Sequence, residues 1–335
     1  MNYSYVDMHC DSLLRGFYEN EESIYNGSGM QSLKRMADAG QMAQFYAIFF
    51  PPRESIDDLA EGEQPLPSDR EFFDLLREQL YTQVAKHPDC MKMAHSYSEI
   101  MANWNAGLSS AILTVEDGRM VDGKMENLFY MYQKGVRAMA LTWNGANCFG
   151  YPNSRDSDVM GRGLTEFGKE AIGEMNRLGM LVDVSHLSDG GFYDVARMSQ
   201  VPFIASHSNC RELTRHPRNL TDAMIRLLSE KGGVAGINFC PQFVGDPADQ
   251  TTTRVCELAD HVMHFINVGG EDCVGLGTDF VGVEGKLEID HPEKMDFLFD
   301  ELKKRGLSER VMEKVASRNV LRVIRDAMGM KVLNS

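Results

Sequence analysis

Short motifs spread along the chain carry side chains that bind cations. Near the start, Asp7-Met8-His9-Cys10-Asp11 sets an imidazole and a carboxylate two residues apart. In extended chain such residues point to one side, so His9 and Asp11 converge while Cys10 points away. Glu116-Asp117-Gly118 follows the apolar run Ala111–Val115, and Gly277-Thr278-Asp279 closes another apolar run. His186 and His207 each end a short apolar segment beside serines. A carboxylate at the end of a buried run must be paired, hydrated or metal-bound, because an isolated buried charge is expensive. One histidine in such a place is ordinarily only hydrogen-bonded. Recurrence of the arrangement along the chain is what points to a metal centre.

Three carboxylates and three imidazoles suit a pair of borderline cations, two Zn2+ first and other divalent ions after them. Glu116, central and with two oxygens, is the natural bridge. His9 and Asp11 complete one metal site, and His186 and His207 the other. Asp279 is then free as acid/base. The other histidines, among them His87, His95, His216 and His291, fall in helices and loops. His261 and His264 share a helix face and read as a solvated or packed surface pair. Cys10 reads as a small buried group behind its strand.

The elements that must position these groups are legible as alternating segments. Eight short strands are expected: Ser4–His9, Gln44–Phe50, Ala111–Glu116, Arg137–Thr142, Leu181–His186, Phe203–His207, Val234–Phe239 and Cys273–Asp279. Five of these end in His, Asp or Glu at one edge. Helical patterns separate them, at Asp69–His87 (with a Ser68/Glu71 capping box), Met125–Lys134, Gly190–Met198, Thr221–Lys231, Val255–Val268 and Glu293–Arg305. In GLTEFGKEAIGEMNRLGMLVDVSH, Thr165 caps a helix, Gly179 stops it, and Leu181–Val184 is too short and apolar to be other than a buried strand. Eight strands alternating with helices predict a (β/α)8 TIM barrel, with an open doubly wound sheet as runner-up. No GxGxxG or GxxxxGK[ST] supports the latter as a nucleotide-binding fold. The loops Pro51–Pro67, Gly145–Arg162 and Pro241–Thr253 follow strands, on the face where barrels build active sites. Residues 1–335 read as a single domain, with the helical tail Glu309–Met328 expected on the barrel's outside.

Composition narrows the partners. A net charge of −15 argues against nucleic acid. No apolar run is long enough for a membrane span, and no basic-then-apolar leader is visible. Seven cysteines without a CxxC pair suit reduced thiols. Cytoplasmic placement is therefore expected, and a homodimer is left open.

The segments DMHCD, GLTEFGKEAIGEMNRLGMLVDVSH, SHSNCRELTRHPRN and GLGTDFVGV resemble those of the membrane (renal) dipeptidase family, in a soluble, bacterial-type form. The resemblance runs from Val6 to the ASRNVLRV near the C-terminus. It implies a zinc-dependent (β/α)8 barrel with a binuclear centre that cleaves dipeptides, often with a D-residue at the C-terminal position. The family's metal-ligand pattern falls on His9, Asp11, Glu116, His186 and His207, in agreement with the assignment from spacing. Its acid/base aspartate falls on Asp279 and its carboxylate-binding arginine on Arg218. Two positions depart from the mammalian pattern. Leu141-Thr142-Trp143-Asn144 carries Trp143 where those members have a histidine that contacts the scissile carbonyl, leaving Asn144 or His216 as substitutes. Val281 stands where they carry an acidic residue.

The expected chemistry is metal-assisted amide hydrolysis by a hydroxide held between two cations, with Asp279 moving the proton and Arg218 holding the substrate carboxylate. Another amidohydrolase-type barrel acting on cyclic amides or lactones, a one-metal deaminase and a non-catalytic metal-binding barrel stay open as alternatives.

Overall fold

The computed structural model describes residues 3–19, 22–27, 30–52, 67–245 and 249–328. Most of the expected loop Pro51–Pro67 lies outside them.

Eight parallel strands form a closed ring. They are β1 (Val6–Cys10), β2 (Ala43–Phe49), β4 (Ser109–Glu116), β5 (Ala138–Ala140), β6 (Leu181–Asp183), β7 (Ile204–Ala205), β8 (Val234–Ile237) and β10 (Val274–Leu276). A further strand, β3 (Met91–Met93), pairs only with β4, outside the ring. The order is β2-β1-β10-β8-β7-β6-β5-β4, and β2 pairs with β4 to close it. An open doubly wound sheet has no such closure, so the barrel reading is the one that holds. Each expected ring strand is present, but several stop early. Leu181–His186 pairs only to Asp183, and Phe203–His207 only over Ile204–Ala205. The polar residues that follow leave the ladder to enter the mouth. His186 makes that departure with a left-handed φ of 69°.

The helices cover the ring because their apolar stripes have no other surface to bury. Asp69–Lys86 opens with the expected capping box, Ser68 accepting from the Glu71 amide while Glu71 accepts from the Ser68 amide. Glu166–Leu178 is capped by Thr165 and ends at Gly179, whose φ of 74° suits glycine. Its buried stripe includes Gly168, Ala171, Ile172 and Met175. A side chain at Gly168 would collide with the Phe149 carbonyl, so the helix sits tight on the loop after β5.

Three features were not foreseen. The insert of β3 with the helix Tyr97–Asn105 lies between β2 and β4. A small parallel pair, β9 (Thr252–Thr253) with β11 (Lys286–Leu287), joins the loops after β8 and β10. The C-terminal tail is also placed differently. It runs as Glu309–Glu313, a π-helical turn Lys314–Arg318, and Asn319–Met328. The last helix does not lie along the outside of the barrel. Its Val320, Val323, Ile324 and Ala327 pack with Val6, Ala43, Ala138, Leu181, Ile204 and Val234, the first residues of six ring strands. The tail therefore stoppers the N-terminal end of the barrel, leaving the C-terminal end open for chemistry.

Candidate active site

Strand ends bring the predicted groups together. His9 ends β1's inward row, Glu116 ends β4, and His186, His207 and Asp279 follow β6, β7 and β10. All are buried, as is Asp11. Glu116 sits at the centre. Its Oε1 lies 2.8 Å from His186 Nε2 and 3.4 Å from His207 Nε2. Its Oε2 lies 3.5 Å from His9 Nε2. His9 Nε2 is in turn 3.4 Å from Asp11 Oδ2 and 3.7 Å from Asp279 Oδ1. The His9 and His207 rings stack with centroids 3.9 Å apart.

Two overlapping donor groups emerge, His9 with Glu116 and His207, and His9 with Asp11 and Asp279. His186 Nε2, 3.1 Å from His207 Nε2, extends the first group. Asp279 thus comes within reach of the same point as Asp11, closer to the ligands than the free acid/base of the sequence reading. The donor set fits a pair of cations. His9 Nε2 and Asp11 Oδ1 are buried with no hydrogen-bond partner, and three carboxylates share a site in which, among the described residues, no arginine or lysine comes within ion-pair distance of them.

The electrostatics follow from burial and crowding. Burial pushes the Glu116 carboxyl up, but His9 and His186 together hold it well below the ordinary range. Burial, with Asp11 and Glu116 nearby, pushes Asp279 up to about 8 against the pull of His9. Burial lowers His186 to about 4, and Arg218 adds to that.

Neighbouring residues orient the imidazoles. His207 Nδ1 is 2.7 Å from Ser206 Oγ, and His186 Nδ1 is 3.2 Å from Asn144 Oδ1. An Nδ1–H donated to each oxygen leaves both Nε2 lone pairs aimed at the centre. Asn144, expected at the carbonyl, therefore engages His186 with its oxygen. Trp143 packs on Phe49, with ring centroids 4.9 Å apart, and forms an apolar wall.

Buried polar groups outside the sequence reading brace the floor. Asp183 Oδ1 accepts from the Ser185 and Ser206 amides, each at 2.9 Å, tying β6 to β7. Asp7 does the same for β1 and β10, accepting from the His9 and Thr278 amides and the Thr278 hydroxyl. Asn238 Nδ2 donates to Asp279 Oδ2 at 2.9 Å and fixes that carboxylate. The only prior sign of these residues was a polar side chain inside an otherwise apolar run. Close approach also needs glycine: a Cβ at Gly282 would collide with the Asp11 and Asp279 carboxylates. Cys10 behaves as expected, buried behind β1 with its thiol pushed up by burial.

A cavity of about 580 Å3 opens over this floor. Asp11, Glu116, His186 and Asp279 line its base, Phe49, Trp143 and Val283 one wall, and His216, Arg218 and Phe243 another. Arg218 is buried, donating to Ser208 Oγ at 3.3 Å and to the His207 carbonyl at 3.1 Å, while its Nε has no partner. No carboxylate among the described residues pairs with it at ion-pair distance. His216 accepts from the Arg218 amide and packs on Phe243. His261, expected at the surface, is buried instead: its Nδ1 accepts from the Cys210 amide and its Nε2 meets the Val244 carbonyl, pinning the loops after β7 and β8. His264 pairs with Asp222.

A barrel with a polynuclear donor set at the C-terminal ends of its strands defines a class of metal-dependent hydrolases. The chain belongs to the membrane dipeptidase family, Peptidase family M19, whose family model matches residues 2–333. It is a metallo-dipeptidase with a candidate binuclear metal site. An uncharacterised dipeptidase of Schizosaccharomyces pombe is 35% identical over 244 residues, 72% of this chain and 58% of that protein. The dipeptidase verJ of Clonostachys rogersoniana is 33% identical over 249 residues, 73% of this chain and 62% of that one. The chain thus spans about three fifths of the length of these two relatives. A metallopeptidase of Rhodobacter sphaeroides, solved with a phosphinate mimic of the dipeptide L-Ala-D-Ala, superposes with a TM-score of 0.86 at 27% identity, covering 97% of this chain and 99% of that one. Among the described residues, no helix is long and apolar enough to cross a membrane.

Proposed function

We propose that the chain, acting as one domain over residues 1–335, hydrolyses the peptide bond of dipeptides and accepts a D-residue at the C-terminal position. The observation that carries this reading is a buried guanidinium without a carboxylate partner, Arg218, in the same cavity as the converged donor set. Its planar fork would hold the substrate's terminal carboxylate. The phosphinate dipeptide mimic bound by the Rhodobacter relative supports the same substrate class and the D-configuration.

His9, Asp11, Glu116, His186 and His207 would hold two cations, with Glu116 shared between them. Zinc is the metal proposed, because imidazole and carboxylate donors suit it. Such ions supply a water of lowered pKa and a polarised scissile carbonyl. Asp279, oriented by Asn238 and kept ionised by the cations that would sit beside it, takes a proton from the attacking water and delivers it to the leaving amine as the C–N bond breaks. Asn144 holds His186 in its working tautomer, and Trp143 shields the carbonyl side from bulk water. Cysteines unpaired at all seven positions support a reducing compartment such as the cytoplasm.

The test is a library of dipeptides with L- and D-residues at the C-terminal position, together with their C-terminal amides, offered to zinc-loaded protein. Free dipeptides should be cleaved and amides cleaved poorly. Equal turnover of acids and amides would remove the carboxylate reading. Turnover confined to lactones or cyclic amides would replace the dipeptidase reading altogether.

A further inference from the structure

A second cavity, of about 570 Å3, adjoins the first and shares His216 as a wall. Its lining is unlike the rest of a chain that carries a net charge of −15. Arg155, Arg211 and Arg215 all face it, and Glu212 is the one carboxylate among its lining residues. The three arginines are not equivalent. Arg211 is committed to structure: it grips Asp189 through two 2.7 Å bonds and also donates to the Asn219 and Pro217 carbonyls. That grip shapes the loop that presents Arg215, His216 and Arg218. Arg155 and Arg215, by contrast, are exposed and make no ion pair with the described residues. The positive field reaches the shared wall. His216 is lowered to about 4 by burial first, and then by Arg218, Arg155 and Arg211. At neutral pH it is an uncharged partition between an arginine that reads one carboxylate and a pair of arginines with none to read.

We propose that this pocket is a subsite for an acidic side chain, Asp or Glu, on the C-terminal residue of the dipeptide. The assignment to that residue rests on the dipeptidase reading above and on the loop's geometry. Arg218, which would hold the terminal carboxylate, donates its amide to His216 Nδ1 at 3.2 Å. In the proposed pose the residue held by Arg218 extends its side chain past His216, the wall that the two cavities share, toward Arg155 and Arg215. Two carboxylates on one residue would then meet guanidinium groups on either side of a neutral imidazole.

The test compares kcat/KM of the zinc-loaded enzyme for Ala-Glu and Ala-Gln, each with an L- or D-residue at the C-terminal position. Glutamate and glutamine match in shape and differ in charge. Wild type should favour the Glu substrates by roughly three- to thirtyfold, the range of two partly exposed ion pairs. Raising the ionic strength from about 0.02 M to about 0.5 M should shrink the preference, because these guanidinium groups are open to solvent. The double variant Arg155→Gln/Arg215→Gln should bring the Glu substrates down to the level of the Gln pair. Both positions are exposed, so folding is not at stake. No preference in wild type, or a preference that survives the double variant, would overturn the subsite. Failure to cleave any of the four substrates would instead contradict the dipeptidase reading on which the subsite depends.

Discussion

At the scale of single residues, the account turns on two side chains whose surroundings differ in kind. Asp279 is buried, is held by Asn238, and lies 3.7 Å from His9 Nε2, which puts a proton-transfer role and a ligand role in competition. Asp279→Asn keeps the shape and the Asn238 contact but removes the proton acceptor. As acid/base, its loss should lower kcat by about 10²-fold or more with metal content unchanged. Loss of a metal equivalent in the same variant would make Asp279 a ligand. Arg218 offers a cleaner separation, because no described carboxylate competes for it. Arg218→Lys and Arg218→Ala should reduce kcat/KM for dipeptides by about 10–150-fold, the scale of a charge-assisted pair in a partly closed site. The C-terminal amides, already poor, should lose little more. Equal losses on both substrate sets would show that Arg218 only supports the loop through Ser208 and His207.

At the scale of elements, strand ends and the loops beyond them divide the work. The strand ends deliver the candidate metal-binding groups, and the buried carboxylates Asp7 and Asp183 lock neighbouring strand ends in register. The loops after β7 and β8 are held by His261, reaching up from the helix Val255–Gly269. That device has a pH signature. Burial lowers His261 to about 4 in the folded chain, against about 6.5 unfolded. A depressed folded value means the stabilisation is complete above about pH 6.5 and is lost as pH falls toward about 4. From pH 7 to pH 5 the wild type should lose about 2 kcal/mol more unfolding free energy than His261→Gln, read by urea denaturation at each pH. Parallel pH curves for the two proteins would show that His261 is not what the loops depend on. These contacts also mark where sequence reasoning ran out. Caps, glycine stops and apolar runs are local, so the ring strands and the helices flanking them were legible. His261, Asn238 and Asp183 act on residues brought from other strands, which spacing along the chain does not reveal. β3, a Met-Lys-Met segment interrupted by Lys92 and closed in by Asp89 and His95, carries no long apolar run to announce it.

At the scale of the whole molecule, the barrel is closed at one end and open at the other. The helix Asn319–Met328 seals the strands' N-terminal ends with Val323 and Ile324, and among the described residues the cation-binding groups gather at the polar mouth opposite. Its helical character was legible, but its seat was not, since a barrel offers an apolar stripe both its flank and its floor. The convergence of these side chains was legible because in a parallel barrel every strand points the same way, and residues at strand ends become neighbours whatever their separation in sequence. The proposed role of His9, Asp11, Glu116, His186 and His207 is to hold two cations through one shared carboxylate. It is tested most directly by metal content of the purified chain, measured by elemental analysis for wild type and Glu116→Ala. About two divalent ions per chain are expected in wild type, and weakened retention of both in the variant, because one bridge would serve both sites. Two tightly held ions with normal turnover in Glu116→Ala would contradict it.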